Sequence, residues 1–259
     1  MKNYIFDLYG TLVDIKTDEA GGRLWRVLAD MYNRYGLNVS PKELRTVFLK
    51  LEKRARDRTA KALNTETPEI KLEKIFLKIF KKCKKRERAE LKEPDEAWAD
   101  MAANMFRALS IKHIRLYKNV PWMLKKLKDE GNRVYLLSNA QRVFTMPEIE
   151  YLGLKDCFDK IYISSDNDLC KPDHRFLEKL ITDEGLDRAE TVMVGNEPVS
   201  DMGMACKCGV KGILFNSGGY REKKIRSEIL KYAQRIEIDE KDREAFLRDL
   251  RIIKDYRDI

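Results

Sequence analysis

Four short apolar runs, at 133–138, 160–164, 191–195 and 212–215, are set apart by segments of helical character, and this rhythm narrows the possible folds more than any other feature. Each run is rich in Val, Ile, Leu, Tyr or Phe and too short to be a helix, so each reads as a buried strand. Pro121 stands at the first turn of a helix over 122–130 that stops at Gly131, and a helix over 172–184 is closed by Gly185. A shorter helix is predicted over 200–206. Strands and helices that alternate in this way form a parallel sheet joined by right-handed helical crossovers. After Gly219 the pattern predicts a helix over 222–233, a short strand over 235–238 and a last helix to about residue 253.

The N-terminus supplies one more strand, Tyr4, Ile5 and Phe6, which delivers the carboxylate of Asp7 and turns at once through Gly10 and Thr11. From Asp18 to about Leu109 strand-like runs vanish. Four apolar stripes at helical spacing take their place: Leu24, Leu28, Met31, Tyr32 and Tyr35; Leu44, Val47, Phe48 and Leu51; Leu72, Ile75, Phe76, Ile79, Phe80 and Cys83; Trp98, Met101, Met105, Phe106 and Leu109. Gly36 ends the first of these helices, and Ser40 with Glu43 three residues on forms a capping box for the second. Four amphipathic helices can bury a shared core. The expected fold is therefore α/β, a Rossmann-like three-layer α/β/α core with a parallel sheet. Residues 1–16 and 115–259 form that core, and an all-helical module at 17–114 is inserted after the first strand.

The net charge of +9 is local: residues 50–92 hold 16 Lys and Arg against 7 Asp and Glu, and the remainder of the chain is neutral. A charge run on amphipathic helices is usually a solvated face, so nucleic acid is not expected as a partner. No run reaches the roughly 18 apolar residues of a membrane span, and the first residues lack the order of a signal peptide. Five cysteines at irregular spacing fit reduced thiols in a cytoplasm. Cys206 and Cys208 lack the second Cys pair or histidines that a zinc site needs.

Four strand ends carry polar groups: Asp7, then Ser138 and Asn139, then Lys171 before Pro172, then Gly195-Asn196 with Asp201 five residues on. In open α/β sheets ligands sit at the carboxyl ends of the strands. The set, in that order, resembles the haloacid dehalogenase superfamily, whose phosphatases read Asp-x-Asp-Gly-Thr, Ser or Thr, Lys-Pro and Gly-Asp-x-x-x-x-Asp. The resemblance covers 1–16 and 115 to about 218, and the helical insert falls where that family places its helical cap. It implies Asp7 as nucleophile and Lys171 as the cation beside it. It also implies Ser138, Asn139 and the turn Tyr9, Gly10 and Thr11 around the transferred group. Mg²⁺ would lie on Asp7, the Tyr9 carbonyl, Asn196 and Asp201, and the substrate would be a small phosphorylated metabolite.

Two residues depart from that pattern. Tyr9 stands where the phosphatases have a general acid, and a phenol with an ordinary pKa near 10 does not serve as one at neutral pH. Asn196 replaces an acid on magnesium; an amide oxygen ligates without charge, and Glu197 is a candidate to compensate. Restoring the acid by Tyr9→Asp is expected to raise the rate if the ring has no other role. Asp-x-Tyr-Gly-Thr also resembles the 2-haloacid dehalogenases, which need no metal. Two alternatives therefore stand beside the phosphatase: a dehalogenase-like hydrolase and a catalytically weak binding protein of the same fold.

Overall fold

The computed structural model describes residues 1–83 and 94–259. Its main sheet has six parallel strands: β1 (Asn3–Phe6), β4 (Arg133–Ser138), β5 (Lys160–Ile163), β6 (Thr191–Gly195), β7 (Lys211–Phe215) and β8 (Arg251–Ile253). Their order across the sheet is β5-β4-β1-β6-β7-β8, which puts β1 between β4 and β6. Side chains alternate between two cores, as the pleat requires. Tyr4, Phe6, Leu136, Val194 and Phe215 face α5 (Val120–Asp129) and α6 (Arg142–Tyr151). Ile5, Tyr135, Leu137, Met193 and Leu214 face α7 (His174–Asp183), α8 (Met204–Lys207), α9 (Glu222–Arg235) and α10 (Glu240–Asp249). Helices on both faces of a parallel sheet make the three-layer α/β/α architecture.

A second sheet of two antiparallel strands, β2 (Val13–Thr17) and β3 (Ile111–Leu116), carries the chain into and out of four helices. These are α1 (Gly22–Arg34), α2 (Pro41–Leu63), α3 (Leu72–Lys82) and α4 (Glu96–Ser110). They enclose a separate core in which Trp25, Phe48, Phe76 and Phe106 pack with Phe144 of α6. The capping box forms as expected, with Ser40 and Glu43 bonded reciprocally. Among the described residues no helix is long and apolar enough to cross a membrane.

Several local expectations are corrected. Residues 235–238 are not a strand: Ile236 caps α9, Glu237 turns left-handed at φ 55°, and buried Ile238 packs on Ala233 and Cys206. The apolar alternation there is a helix end with no neighbouring edge to pair with. The edge strand lies at Arg251–Ile253 instead, where the last helix was expected to continue. Helix α6, for which the sequence pattern sets no expectation, carries Pro147 in its interior. The helix over 172–184 begins later, at His174, with Asp173 as its cap. Within the insert, Tyr35 and Met101 are exposed, and the buried face of α4 is built from Trp98, Ala99, Ala102, Ala103 and Phe106. Of the basic block, Lys50, Lys53, Arg54, Arg58, Lys61, Lys74, Lys78, Lys81 and Lys82 are exposed, while residues 84–92 lie outside the described residues.

Candidate active site

Because β1 lies mid-sheet, the residue after it meets the ends of its neighbours. Asp7 continues the ladder through its N–H, which donates to the Val194 carbonyl at 2.9 Å. The chain then folds back over residues 8–13, where the N–H of Leu12 reaches the Leu8 carbonyl and that of Gly10 the Val13 carbonyl, both at 2.8 Å. Gly10 takes φ +84°, and a Cβ there would lie 2.5 Å from the Asn196 amide nitrogen, so only glycine fits. Gly195 is required for a similar reason: its Cβ would stand 2.3 Å from the Asp201 carboxyl. These two close approaches let the loops after β1 and β6 meet.

What meets there is a buried chain of charge. The Lys171 ammonium donates to Asp7 Oδ1 at 2.7 Å and to Asp201 Oδ1 at 2.6 Å. Thr11 donates to the other Asp7 oxygen at 2.9 Å and lies 3.2 Å from the Asn196 Oδ1. The Glu197 N–H holds the second oxygen of Asp201 at 2.9 Å. Asp7, Lys171 and Asp201 are respectively 6%, 4% and 1% exposed. One ammonium thus serves two buried carboxylates. Burial pushes the Asp7 pKa up to about 6; Lys171 pulls it down and Asp201 pushes it back up. For Lys171, burial acts to lower the pKa, but Asp201 and Asp7 outweigh it and the pKa is raised.

The other expected residues fall around this chain. Ser138, at the end of β4, is fully buried and its hydroxyl has no hydrogen-bond partner, an unusual state for a polar atom. Asn139 uses its side-chain amide on the backbone of Lys171: its oxygen accepts from Lys171 N–H at 2.8 Å and its Nδ2 donates to the Lys171 carbonyl at 2.9 Å. Its amide therefore fixes where the lysine starts. The Gly10 N–H is already spent on Val13. Asn196 is half-buried beside Thr11, and its Nδ2 lies 3.4 Å from Glu197.

Tyr9 has a partner that its place in the motif does not predict. Its hydroxyl donates to Glu148 Oε2 at 2.5 Å and lies 3.2 Å from the Thr145 hydroxyl, both on α6. Arg107 of α4 clamps the same carboxylate, through Nε to Oε1 at 2.6 Å and Nη2 to Oε2 at 3.1 Å. The guanidinium also lies 5.2 Å from the centre of the Tyr9 ring. Burial first, and Glu148 second, push the phenol pKa far above its ordinary range. The ring thus has another role, so the expected gain from Tyr9→Asp is withdrawn: it would set a second carboxylate close to Glu148. Neither Glu148 nor Arg107 was singled out in sequence. In the structure Glu148 shares the buried face of α6, a helix that Pro147 conceals in sequence, with Phe144 and Ile149.

A cation would find oxygen donors here: the Asp7 and Asp201 carboxylates, the Asn196 amide and the backbone. Among the described residues no three His, Cys, Asp or Glu side chains converge as a metal-holding group. The surplus of one buried negative charge and the all-oxygen donors are compatible with magnesium, though with few carboxylates to hold it.

Residues 4–215 match the family model described as haloacid dehalogenase-like hydrolase. The glyceraldehyde 3-phosphate phosphatase of Methanothermobacter thermautotrophicus is 30% identical over 104 residues, 40% of this chain and 46% of that protein. The chain thus spans less than half the length of the curated relatives it matches. Among solved structures, a HAD phosphatase from Thermococcus onnurineus superposes with a TM-score of 0.54 at 20% identity, covering 85% of this chain and 89% of that one. A 2-haloacid dehalogenase from Pseudomonas syringae pv. Tomato gives 0.57 at 18% identity, covering 92% and 100%. Likenesses at that identity establish the fold and leave the reaction open.

Proposed function

The chain belongs to the haloacid dehalogenase-like hydrolases, and from that membership we propose that it hydrolyses a small phosphorylated metabolite, with Asp7 as nucleophile and the helical insert, residues 17–114, as a cap on the core of 1–16 and 115–259. One observation carries the reading: Asp7 is buried, held at both oxygens by Lys171 and Thr11, and shares the Lys171 ammonium with Asp201. A carboxylate so placed is fixed in direction and only partly neutralised, as an attacking group must be. The phosphatase among the sequence relatives supports the same choice.

In the first step an Asp7 oxygen forms a bond to phosphorus as the ester oxygen leaves. In the second, water attacks the aspartyl phosphate and restores the carboxylate. Lys171 offsets repulsion between Asp7 and the incoming phosphoryl oxygens. Ser138, the one described serine side chain that is buried without a partner, is a ready donor to a phosphoryl oxygen. Mg²⁺, held by Asp7, Asp201, the Asn196 amide and the Tyr9 carbonyl, would supply further charge to offset that of the phosphoryl group. The Tyr9 proton is committed to Glu148. Protonation of the leaving group is therefore left to water, and the missing general acid makes turnover slow, by about 10²–10⁴.

A second reading has an observation of its own. The phenol at position 9 and a lysine bonded to both carboxylates suit a metal-free displacement of halide from carbon by Asp7. The deciding experiment is a panel of phosphorylated metabolites with and without Mg²⁺, with 2-chloropropionate in the same plate. Phosphate release is expected. Chloride release without phosphate release replaces the first reading by the second. Asp7→Asn should abolish whichever turnover is found, and a fully active Asp7→Asn would end both.

A further inference from the structure

Resting on the reading of Asp7 as nucleophile, we propose that Tyr256 is a positioning residue for it, supplied by a C-terminal segment outside the part of the chain that matches the family model. That match ends at residue 215, before α9, α10 and β8. Beyond them the chain returns to the site: β8 pairs in parallel with β7, and the Asn216 N–H donates to the Ile253 carbonyl at 2.8 Å. Asp255 accepts from the Asn119 amide at 2.9 Å. These contacts deliver Tyr256, which is fully buried, with its ring stacked on Phe215 at 4.5 Å between centroids.

Its hydroxyl donates to the Thr11 carbonyl at 2.6 Å, across 245 residues of sequence. Since that acceptor is a carbonyl, the phenol can act only as donor. Thr11 is the residue whose hydroxyl holds Asp7 Oδ2 and faces Asn196. Its own N–H makes a long bond of 3.3 Å to Leu8. The Tyr256 bond therefore fixes the peptide of the residue whose hydroxyl holds the nucleophile. Small misplacements of a reacting group are costly, about 10² in rate for 1 Å.

Tyr256→Phe keeps the buried ring and its stack and removes only the donor. It is expected to lower kcat by roughly five- to tenfold, as for one lost hydrogen bond, with KM unchanged. Thr11→Val should cost more, and the double variant should be no slower than Thr11→Val alone, because Tyr256 acts through Thr11. Amide hydrogen exchange at Thr11 and Leu12 should quicken in Tyr256→Phe while the β1 and β6 amides stay unchanged. Asp255→Ala, which only loosens the segment, should shift both readouts the same way by less, and it carries the test if Tyr256→Phe does not fold. Wild-type kcat and exchange in Tyr256→Phe would overturn the proposal, as would losses that multiply in the double variant. A wild-type protein that turns over neither phosphate ester nor haloacid disposes of the hydrolytic reading, and the exchange data then decide the role of Tyr256 alone.

Discussion

Two buried ionic clusters begin two residues apart in the chain and are built to opposite ends. Asp7 and Asp201 share the single ammonium of Lys171, so their cluster keeps a surplus negative charge. Glu148 has the Arg107 guanidinium on both oxygens, and neutral Tyr9 donates to it as well. The Asp7 cluster is the more deeply buried, since Arg107 and Tyr9 are only partly so. What also differs is the number of opposite charges per carboxylate. The balanced cluster satisfies its carboxylate and ties α4 of the insert to α6 and Tyr9 of the core. The unbalanced one leaves Asp7 with the raised pKa that burial gives it and two partners cannot cancel.

The largest effect should come from unbalancing the balanced cluster. Glu148→Gln strips the largely buried Arg107 guanidinium of the carboxylate it clamps, a loss that costs about 3–5 kcal/mol in a fully buried pair. Urea unfolding of that variant measures the loss, and Glu148→Gln with Arg107→Met should recover most of it. A loss in Glu148→Gln as small as that of an exposed pair would erase the contrast between the clusters.

The next effect belongs to the unbalanced cluster and has a defined sign. Asp7 must be ionised to attack, so kcat/KM should fall as pH drops through about 6, approaching tenfold per pH unit. Stability should move the other way. With its folded pKa raised above the ordinary 3.8, Asp7 binds more protons folded than unfolded between 3.8 and about 6, so its contribution destabilises the fold at pH 7 and fades as pH falls through that window. Asp7→Asn should thus melt higher than wild type at pH 7, with the gap narrowing to about half at pH 5 and closing below the ordinary value of 3.8. A gap that widens in acid would show Asp7 to be the better-compensated carboxylate.

The smallest effect sharpens the comparison from the neutral side. Tyr9→Phe removes a donor but no charge, so it should cost only about 1 kcal/mol in unfolding free energy and leave kcat within a few-fold. A collapse of kcat in Tyr9→Phe would instead make the phenol part of the chemistry.

How far the sequence reveals these clusters follows from distance along the chain. Asp7, Ser138 and Asn196 each stand at the end of an apolar run and Lys171 seven residues beyond one, so strand order together with the Lys-Pro pattern suggests that they meet. Tyr9 and Glu148 are separated by 139 residues, and no local pattern pairs them. Glu148 is buried and Arg107 partly so, although charged residues are ordinarily counted as surface. Strand β8 has three residues and is defined by its neighbour β7, while the better alternation at 235–238 has no edge to pair with. The motif at Gly195 was readable, yet its physical reason, the nearness of Asp201, appears only when the loop closes.

The two-stranded ribbon of β2 and β3 has a mechanical consequence. Both crossings between core and helical insert run through it, hydrogen-bonded to each other and cross-linked where His113 and Arg115 meet Asp14. Two independent tethers would let the insert roll, slide and twist. A paired ribbon resists shear along its strands and yields chiefly by flexing across its face, as a leaf spring does. Its register shifts between Lys16 and Thr17, an irregularity at which a strand bends. On the proposed reading of the insert as a cap, an excursion of the four helices would be steered into a swing about that bend, parting Arg107 from Glu148 and returning it along the same arc.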